Sequence, residues 1–589
     1  MSILQSLNLV HPRLIASSVA WERIAARRLV DPLLDGFLGR GEAEARAILD
    51  VPPVIYRMDG KRLLHVSRAV LRRVLLLALH YHLTGDEKLA WRAEQEILAA
   101  ASFSNWNPSH FLDVAEMTAA LAFGYDWLYG QLGTGTRNII VEAIVEKGLK
   151  PGLADHGWAN SENNWNSVCL SGLSLGALAI ADIEPELASQ VLELARTYNH
   201  NGLKVYAPGG VYPEGSMYWG YGTAYQAILI NAFQSALGTD WGLSDSPGFM
   251  ESANAVIEQL APGNTFFNFS DGLERPLMEP AMWWFAHTLK RPELLSYERY
   301  IIGRYSDPPY VTEPLTDNDR LLPLAALWWP EDWTQPTGKA LRLNWYGEGA
   351  NPLAVFRSAW DDPNAMYLAL KGGSASLSHA HMDAGSFVFE ANGVRWAHDL
   401  GMQDYLSLES KGIDLWNSSQ GAGRWNVFRL NNFSHNTLTI NGLHHCVNGH
   451  AVITHFSDKD DLGATVDLSA VFAGQAESVI RSFAFRDGHI AIFDDIAGLQ
   501  PGDIIRWAMV TRAGVAVYGD HAILSEDGRQ LTAGLASSVD ALFEVISAEP
   551  PDNGYDAPNP GYRLLVIDLE APASGRIELT VTLRSIAEK

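Results

Sequence analysis

From about Ser67 to about Trp329, apolar residues recur at three- and four-residue intervals, broken by short polar or glycine-containing loops. That spacing predicts a succession of amphipathic helices. Val70 to Leu83, Lys88 to Ala101, Leu112 to Leu132, Arg137 to Gly148, Ser167 to Ile183, Glu186 to Asn199 and Tyr218 to Leu237 are the clearest segments. Each apolar stripe needs a neighbour to bury against, so helices joined by short loops imply antiparallel hairpins stacked as a solenoid or closed into a ring. After about Asn351 the period changes to two, in Ala354 to Ser358, Met366 to Leu370, Ser386 to Glu390, Val394 to His398, Thr437 to Ile440, His489 to Asp494, Ile505 to Val510 and Ile577 to Leu583. Gly, Asn-Gly and Asp-Gly punctuate these segments, as an antiparallel sheet or sandwich requires. The reading is a multidomain α+β chain with a helical domain over 1–340 and an antiparallel β domain over 341–589. Pro308-Pro309 and the loop-like stretch Asp332 to Gly338 approach the boundary.

The β half carries the densest chemistry. Ser378-His379-Ala380-His381-Met382-Asp383-Ala384-Gly385 precedes an apolar run, an Asn-Gly turn at Asn392-Gly393 and a second run ending in Asp399. This predicts a β-hairpin that brings Asp399 back towards His381. Residues two apart on a strand share a face, so His379 and His381 are expected to point the same way. His435, at the mouth of Thr437 to Ile440, supplies a third donor. The expectation is a divalent metal on His381, Asp399 and His435, with His379 beside it and available for chemistry; two imidazoles and a carboxylate suit Zn²⁺, and Mn²⁺ suits a more oxygen-rich shell.

The helical half has its own polar constellations. Glu162-Asn163-Asn164-Trp165-Asn166-Ser167 opens an apolar helix with more amides than one cap needs, and side-chain amides at a helix start are neutral donors for a carboxylate. In Tyr212-Pro213-Glu214-Gly215-Ser216-Met217-Tyr218-Trp219-Gly220-Tyr221-Gly222-Thr223-Ala224-Tyr225, the residues Tyr218, Tyr221 and Tyr225 fall on one helix face. Glycines at 215, 220 and 222 disfavour a helix unless something approaches closely, and a hydroxyl-lined aromatic face beside them suits a sugar. Asn105 to Met117, which includes His110, mixes aromatics, amides and acids before a helix and reads as a subsite wall or a capped helix.

Composition narrows the classes. The 589 residues exceed a single core, and 47% hydrophobic with 19% charged residues is an ordinary globular balance. A net charge of −25 argues against nucleic acid and anionic membranes as partners. Arg357, Arg424 and Arg429 are the candidates for the local positive field that an acidic ligand needs. Two distant cysteines, Cys169 and Cys446, provide neither a disulfide framework nor a thiolate metal site. The first residues show no basic, apolar and small-residue leader, and no apolar run approaches the length of a membrane span. A cytoplasmic location is the expectation, or a periplasmic or secreted one if a leader was removed. Oligomeric state is not legible.

Taken together, Asn163-Asn164-Trp165-Asn166, Tyr212 to Thr223, His379 to Phe387, Trp396-Ala397-His398-Asp399-Leu400-Gly401 and His435-Asn436-Thr437-Leu438 resemble the heparinase II/III family of polysaccharide lyases. The resemblance implies an N-terminal (α/α) toroid, an incomplete helical barrel, followed by a C-terminal antiparallel β-sandwich, with the active cleft between them. It implies β-elimination on a uronate-containing polysaccharide: the C5 proton is removed and the 4-O-glycosidic bond breaks, leaving an unsaturated sugar. Asn163 and Asn164 would neutralise the uronate carboxylate, Asn164 matching the family position best. A tyrosine, Tyr221 ahead of Tyr218, would be the acid and for one C5 epimer the base, while His379 would be the base or position the substrate. Trp165, Glu214, His110 and Arg429 are taken as substrate-binding, and the metal on His381, Asp399 and His435 as structural. Glycosaminoglycans (heparan sulfate or heparin, chondroitin, hyaluronan) are the expected substrates, with alginate or oligoalginate as the alternative. A glycoside hydrolase on the same toroid would instead recruit Asp113 and Glu116, or Glu162 and Glu214.

Overall fold

The periodic segments fold as read, with shifted ends. In a computed structural model that describes residues 3–275, 278–305, 317–331 and 341–586, the first compact unit comprises 1–205, 218–253 and 277–339, and the second 206–217, 254–276 and 340–589. Pro308-Pro309 and Asp332 to Gly338 lie outside the described residues.

The first unit is helical. Its main helices are Leu64–Thr84, Glu87–Ala101, Phe111–Trp127, Asn164–Ile180, Pro185–Leu203 and Ser216–Leu237. Two earlier ones, Ser18–Arg28 and Pro32–Ile48, precede the point where the periodicity becomes obvious; Asp31 capping a helix that opens on Pro32 was their signal. Phe111–Trp127 is buried along its whole length, enclosing Asp113, Glu116 and Asp126. Its closest neighbour is Asn164–Ile180, where a Cβ on Gly172 would lie 2.2 Å from the Ala115 carbonyl oxygen. Only hydrogen at that position permits the approach.

The second unit is built of antiparallel sheets. A five-stranded meander runs in chain order through Asn344–Gly347, Leu353–Arg357, Tyr367–Lys371, Phe387–Ala391 and Val394–Ala397. The expected hairpin is present, with Asn392 (φ 54°) and Gly393 (φ 74°) both left-handed as its turn requires. An eight-stranded sheet centres on His489–Ala497, flanked by Ser478–Arg486 and Arg576–Ser585. Phe543–Ser547, Arg563–Glu570, Ile504–Thr511 and Leu438–Ile440 form a four-stranded sheet in that order.

Alternation explains where the core sits. Phe356, Leu368, Phe387 and Phe389 of the meander pack with Ile490, Ile492, Trp507 and Ile567 in the main core. The residues between them, Leu353, Val355, Tyr367, Ala369 and Val388, face a second cluster with Val211, Ala255, Phe267 and Phe269. The meander is therefore buried on both faces, and the excursions 206–217 and 254–276 join this unit because they cover one of them. Burying Phe267 and Phe269 contributes roughly 1.5–3 kcal/mol each and fixes Asp271 two residues further on.

Candidate active site

In the helical unit the candidate residues cluster at the caps and first two turns of three helices. Asn163 caps Asn164–Ile180, its side chain accepting from the Trp165 amide at 3.1 Å. Asn164 is buried, and its Oδ1 has no hydrogen-bond partner, which is unusual for a buried amide in a finished core. His110 precedes Phe111–Trp127, meets the Trp165 ring edge to face at 5.1 Å and contacts Asp113 through Nδ1 at 2.7 Å. One turn along, Glu116 receives the Tyr221 hydroxyl at 2.9 Å. Glu116 is fully buried and also accepts from Arg320 (Nε 2.5 Å, Nη2 2.7 Å) and Arg68 (Nε 3.1 Å). Both guanidinium groups lie over the Tyr221 ring, at 5.0 and 5.2 Å from its centroid. Burial and then the Glu116 charge push the Tyr221 phenol well above its ordinary range, with Arg68 and Arg320 opposing. For Glu116, burial works towards the neutral form but the charges of Arg320 and Arg68 prevail and hold it ionised. Tyr221 is thus a fixed proton donor, and Tyr218 occupies the helix turn before it.

In the second unit the histidines converge on a residue that the sequence reading did not single out. Asp271 Oδ2 contacts His379 Nδ1 at 2.8 Å and accepts the Tyr405 hydroxyl at 2.6 Å, while Oδ1 contacts His381 Nε2 at 2.9 Å. Against the desolvation of its burial, hydrogen bonds from His379 and His381 hold Asp271 far below the usual carboxylate range, so it is ionised. The stretch around His379 is a turn, not the strand expected, and His379 itself is left-handed at φ 56°. Convergence of the two rings comes from Asp271 and not from strand alternation. Glu214 belongs to this unit, is buried with Oε2 unpartnered, and is pushed upward chiefly by burial, with the neighbouring His379 opposing.

His435 and Asp399 meet as Nδ1 to Oδ2 at 2.8 Å, and Asp399 Oδ1 accepts from the Gly401 amide. His381 and His435 have ring centroids 5.4 Å apart. Each spends one nitrogen on a carboxylate and leaves the other, Nδ1 of His381 and Nε2 of His435, buried without a partner. Imidazoles backed by carboxylates and presenting a bare nitrogen fit the donor chemistry of a zinc site. Among the described residues, however, no group of three or more His, Cys, Asp and Glu is drawn together so as to hold a metal ion.

The three arginines expected to supply a positive field are spent on structure. Arg357 binds the Leu260 and Glu258 carbonyls and stacks on Trp360 at 3.4 Å. Arg424 holds the Leu415 and Ala380 carbonyls. Arg429 binds Asn559 and the Met402, Leu400 and Pro558 carbonyls. Arg68 and Arg320 beside Tyr221 are the cations that sequence reasoning missed. Charged residues inside a continuous apolar run, as at Asp113 and Glu116, were the available signal that something must pair with them.

With this geometry in place, the chain can be set beside known proteins, and its β unit carries the match to a family model. Residues 353–490 match the family model described as Heparinase II/III-like, C-terminal. That match spans the segments His379 to Phe387, Trp396 to Gly401 and His435 to Leu438, which carried part of the resemblance. Its fold is similar to heparinase III, at 12% identity and a TM-score of 0.65 over 91% of this chain and 79% of that one. It is also similar to a heparan sulfate lyase mutant from Pedobacter heparinus (15%, 0.58, 92% and 79%). A third likeness is the Streptomyces coelicolor A3 chondroitin AC lyase in complex with chondroitin sulphate (13%, 0.50, 97% and 83%). No curated protein matches the sequence. The expected fold class, a helical (α/α) toroid followed by an antiparallel β-sandwich, is the observed one.

Proposed function

We propose that the protein is a polysaccharide lyase that cleaves uronate-containing glycans, glycosaminoglycans first and alginate second, by β-elimination. The observation that carries the reading is which groups are locked and which are poised. Of the carboxylates that a hydrolase would recruit, Glu116 is tied to two arginines, Asp113 to His110, Asn107 and the Leu63 amide, and Glu214 is buried and driven towards neutrality. Glu162 is exposed and paired with Lys204. By contrast, Tyr221 and His379 are only partly buried and are each held by an anion, as an acid and a base need to be.

In this mechanism the Asn164 amide, with Asn163, hydrogen-bonds the uronate carboxylate and stabilises the negative charge that develops on it. His379 takes the C5 proton through Nε2. The electron pair forms the C4–C5 double bond, the C4–O bond breaks, and Tyr221 gives its proton to the leaving oxygen. Trp165 and His110 supply an aromatic wall for a sugar. His381 and His435, with Asp399 at His435, would hold a divalent ion, zinc by donor type; when bound it supplies bracing for the loop that bears His379.

The test is the ultraviolet absorbance of unsaturated uronate during incubation with heparan sulfate, chondroitin sulfate, hyaluronan and alginate separately, alongside Tyr221→Phe, Tyr218→Phe and His379→Ala. A rise on one polymer that disappears in Tyr221→Phe is expected. Reducing ends without absorbance would replace the lyase with a hydrolase.

A further inference from the structure

Asp271 stands where three side chains and two strained backbones meet. Its carboxylate is nearly fully buried, with 5% of the side chain exposed against 10% for His379. Its amide donates to the His379 carbonyl at 3.2 Å, joining the turn at 379 to the segment 268–272. Ser270 (φ 54°) and His379 (φ 56°), on the two sides of that link, are both left-handed non-glycine residues, a conformation that persists only where the surroundings over-determine it. The Ser270 amide is held in turn by Asp383 Oδ2 at 3.1 Å, and Asp383 Oδ1 is bound by Lys371 at 2.5 Å. Asp271 therefore sits on a braced support.

A carboxylate only accepts hydrogen bonds, so each imidazole nitrogen that touches it must carry the proton. His379 reaches Oδ2 through Nδ1, which places its lone pair on Nε2. His381 reaches Oδ1 through Nε2, which places its lone pair on Nδ1, the buried nitrogen without a partner. Tyr405 donates to Oδ2 beside His379. We infer that Asp271 is the positioning residue of the site: one carboxylate fixes His379 and His381 in opposite tautomers, aiming the basic nitrogen of the first at substrate and leaving the lone-pair nitrogen of the second, Nδ1, buried. This rests on the lyase reading for the role of His379. It goes beyond that reading in assigning Asp271 and in joining the reactive histidine to the inner one through a single group.

The decisive experiment reads tautomers directly. Long-range proton–nitrogen correlation spectra of ¹⁵N-histidine-labelled, chelator-treated full-length protein, assigned with His379→Gln and His381→Gln, are expected to show His379 protonated on Nδ1 and His381 on Nε2. In Asp271→Asn the amide NH₂ can donate, the His379 pattern inverts, and kcat falls by about 10²–10³ with KM within about threefold, since the lost group acts in the transition state and not in binding. Tyr405→Phe keeps both tautomers and loses no more than about tenfold in kcat. A wild-type His379 protonated on Nε2, or a folded Asp271→Asn enzyme within about threefold of wild-type kcat, overturns the inference. If Asp271→Asn does not fold, the wild-type spectrum still decides. If no polymer yields unsaturated uronate, the lyase reading fails while the spectrum judges Asp271 separately.

Discussion

Tyr221 is placed to keep its proton until something beside it takes that proton up. Its phenol is raised by burial and by Glu116, so at neutral pH it holds its proton, and the two guanidinium groups over its ring stabilise the charge it would carry after giving that proton up. Tyr221→Phe is therefore expected to lower kcat by about 10²–10⁴ with little change in KM, whereas Tyr218→Phe retains most turnover; comparable losses in both would move the acid to Tyr218. Asn164 calls for a different test, because its proposed partner is the substrate carboxylate. Asn164→Ala should lose about 10²–10³ in kcat/KM on the natural polymer, and far less on the same polymer with its carboxyls esterified. An equal loss on both would remove Asn164 from carboxylate recognition. Both residues were singled out from the sequence, Asn164 by surplus amides at a helix start and Tyr221, with Tyr218 and Tyr225, by tyrosines on one helix face. Asp271, Tyr405, Arg68 and Arg320 were not, because each acquires its role from a partner more than 25 residues away in the chain.

Periodicity places the helices and strands, though it does not always place their ends. Lys88 to Ala101 and Tyr218 to Leu237 are close to the observed Glu87–Ala101 and Ser216–Leu237. Leu112 to Leu132 overran the observed Phe111–Trp127, a helix buried on every side whose apolar content gives no face and so no sharp end. Strands such as Gly514–Val517 and His521–Glu526, short and half exposed, offered too little alternation to be picked out. What periodicity cannot show is how close two helices come. Gly172 faces the Ala115 backbone, which cannot rotate away as a side chain can, and on Phe111–Trp127 Ala115 lies one residue before Glu116, the acceptor of the Tyr221 hydroxyl. Gly172→Ala should cost about 1–3 kcal/mol despite the better helix propensity of alanine. It should also depress turnover by shifting Glu116; a Tm equal to wild type in thermal melting would show that the helices can part at no cost.

The whole molecule responds to pH through groups whose folded and unfolded proton affinities differ. His80 is lowered to about 4 by burial, so between that value and 6.5 the unfolded chain holds a proton that the folded chain lacks. Stability from this group is complete above 6.5 and is lost on acidification. Glu298 has the opposite sign: buried and raised by desolvation to about 8 from 4.5, it keeps a proton in the folded chain that the unfolded chain has released. Its contribution is complete below 4.5 and is lost as pH rises towards 8. Glu258, raised to about 7 by burial with Arg357 opposing, adds the same slope but ends sooner. From about pH 7 to 8 Glu298 contributes a slope on the order of 1 kcal/mol per pH unit, beside the upward-shifted His435 and the tail of Glu258, whose slopes have the same sign. General repulsion in a chain of net charge −25 acts almost equally on wild type and on a single neutral variant. Glu298→Gln, which keeps the shape and abolishes this titration while leaving the others in place, should therefore decline less steeply across this window than the wild type. Parallel declines in the two proteins would mean that Glu298 ionises in the folded state without cost, and that its surroundings admit water.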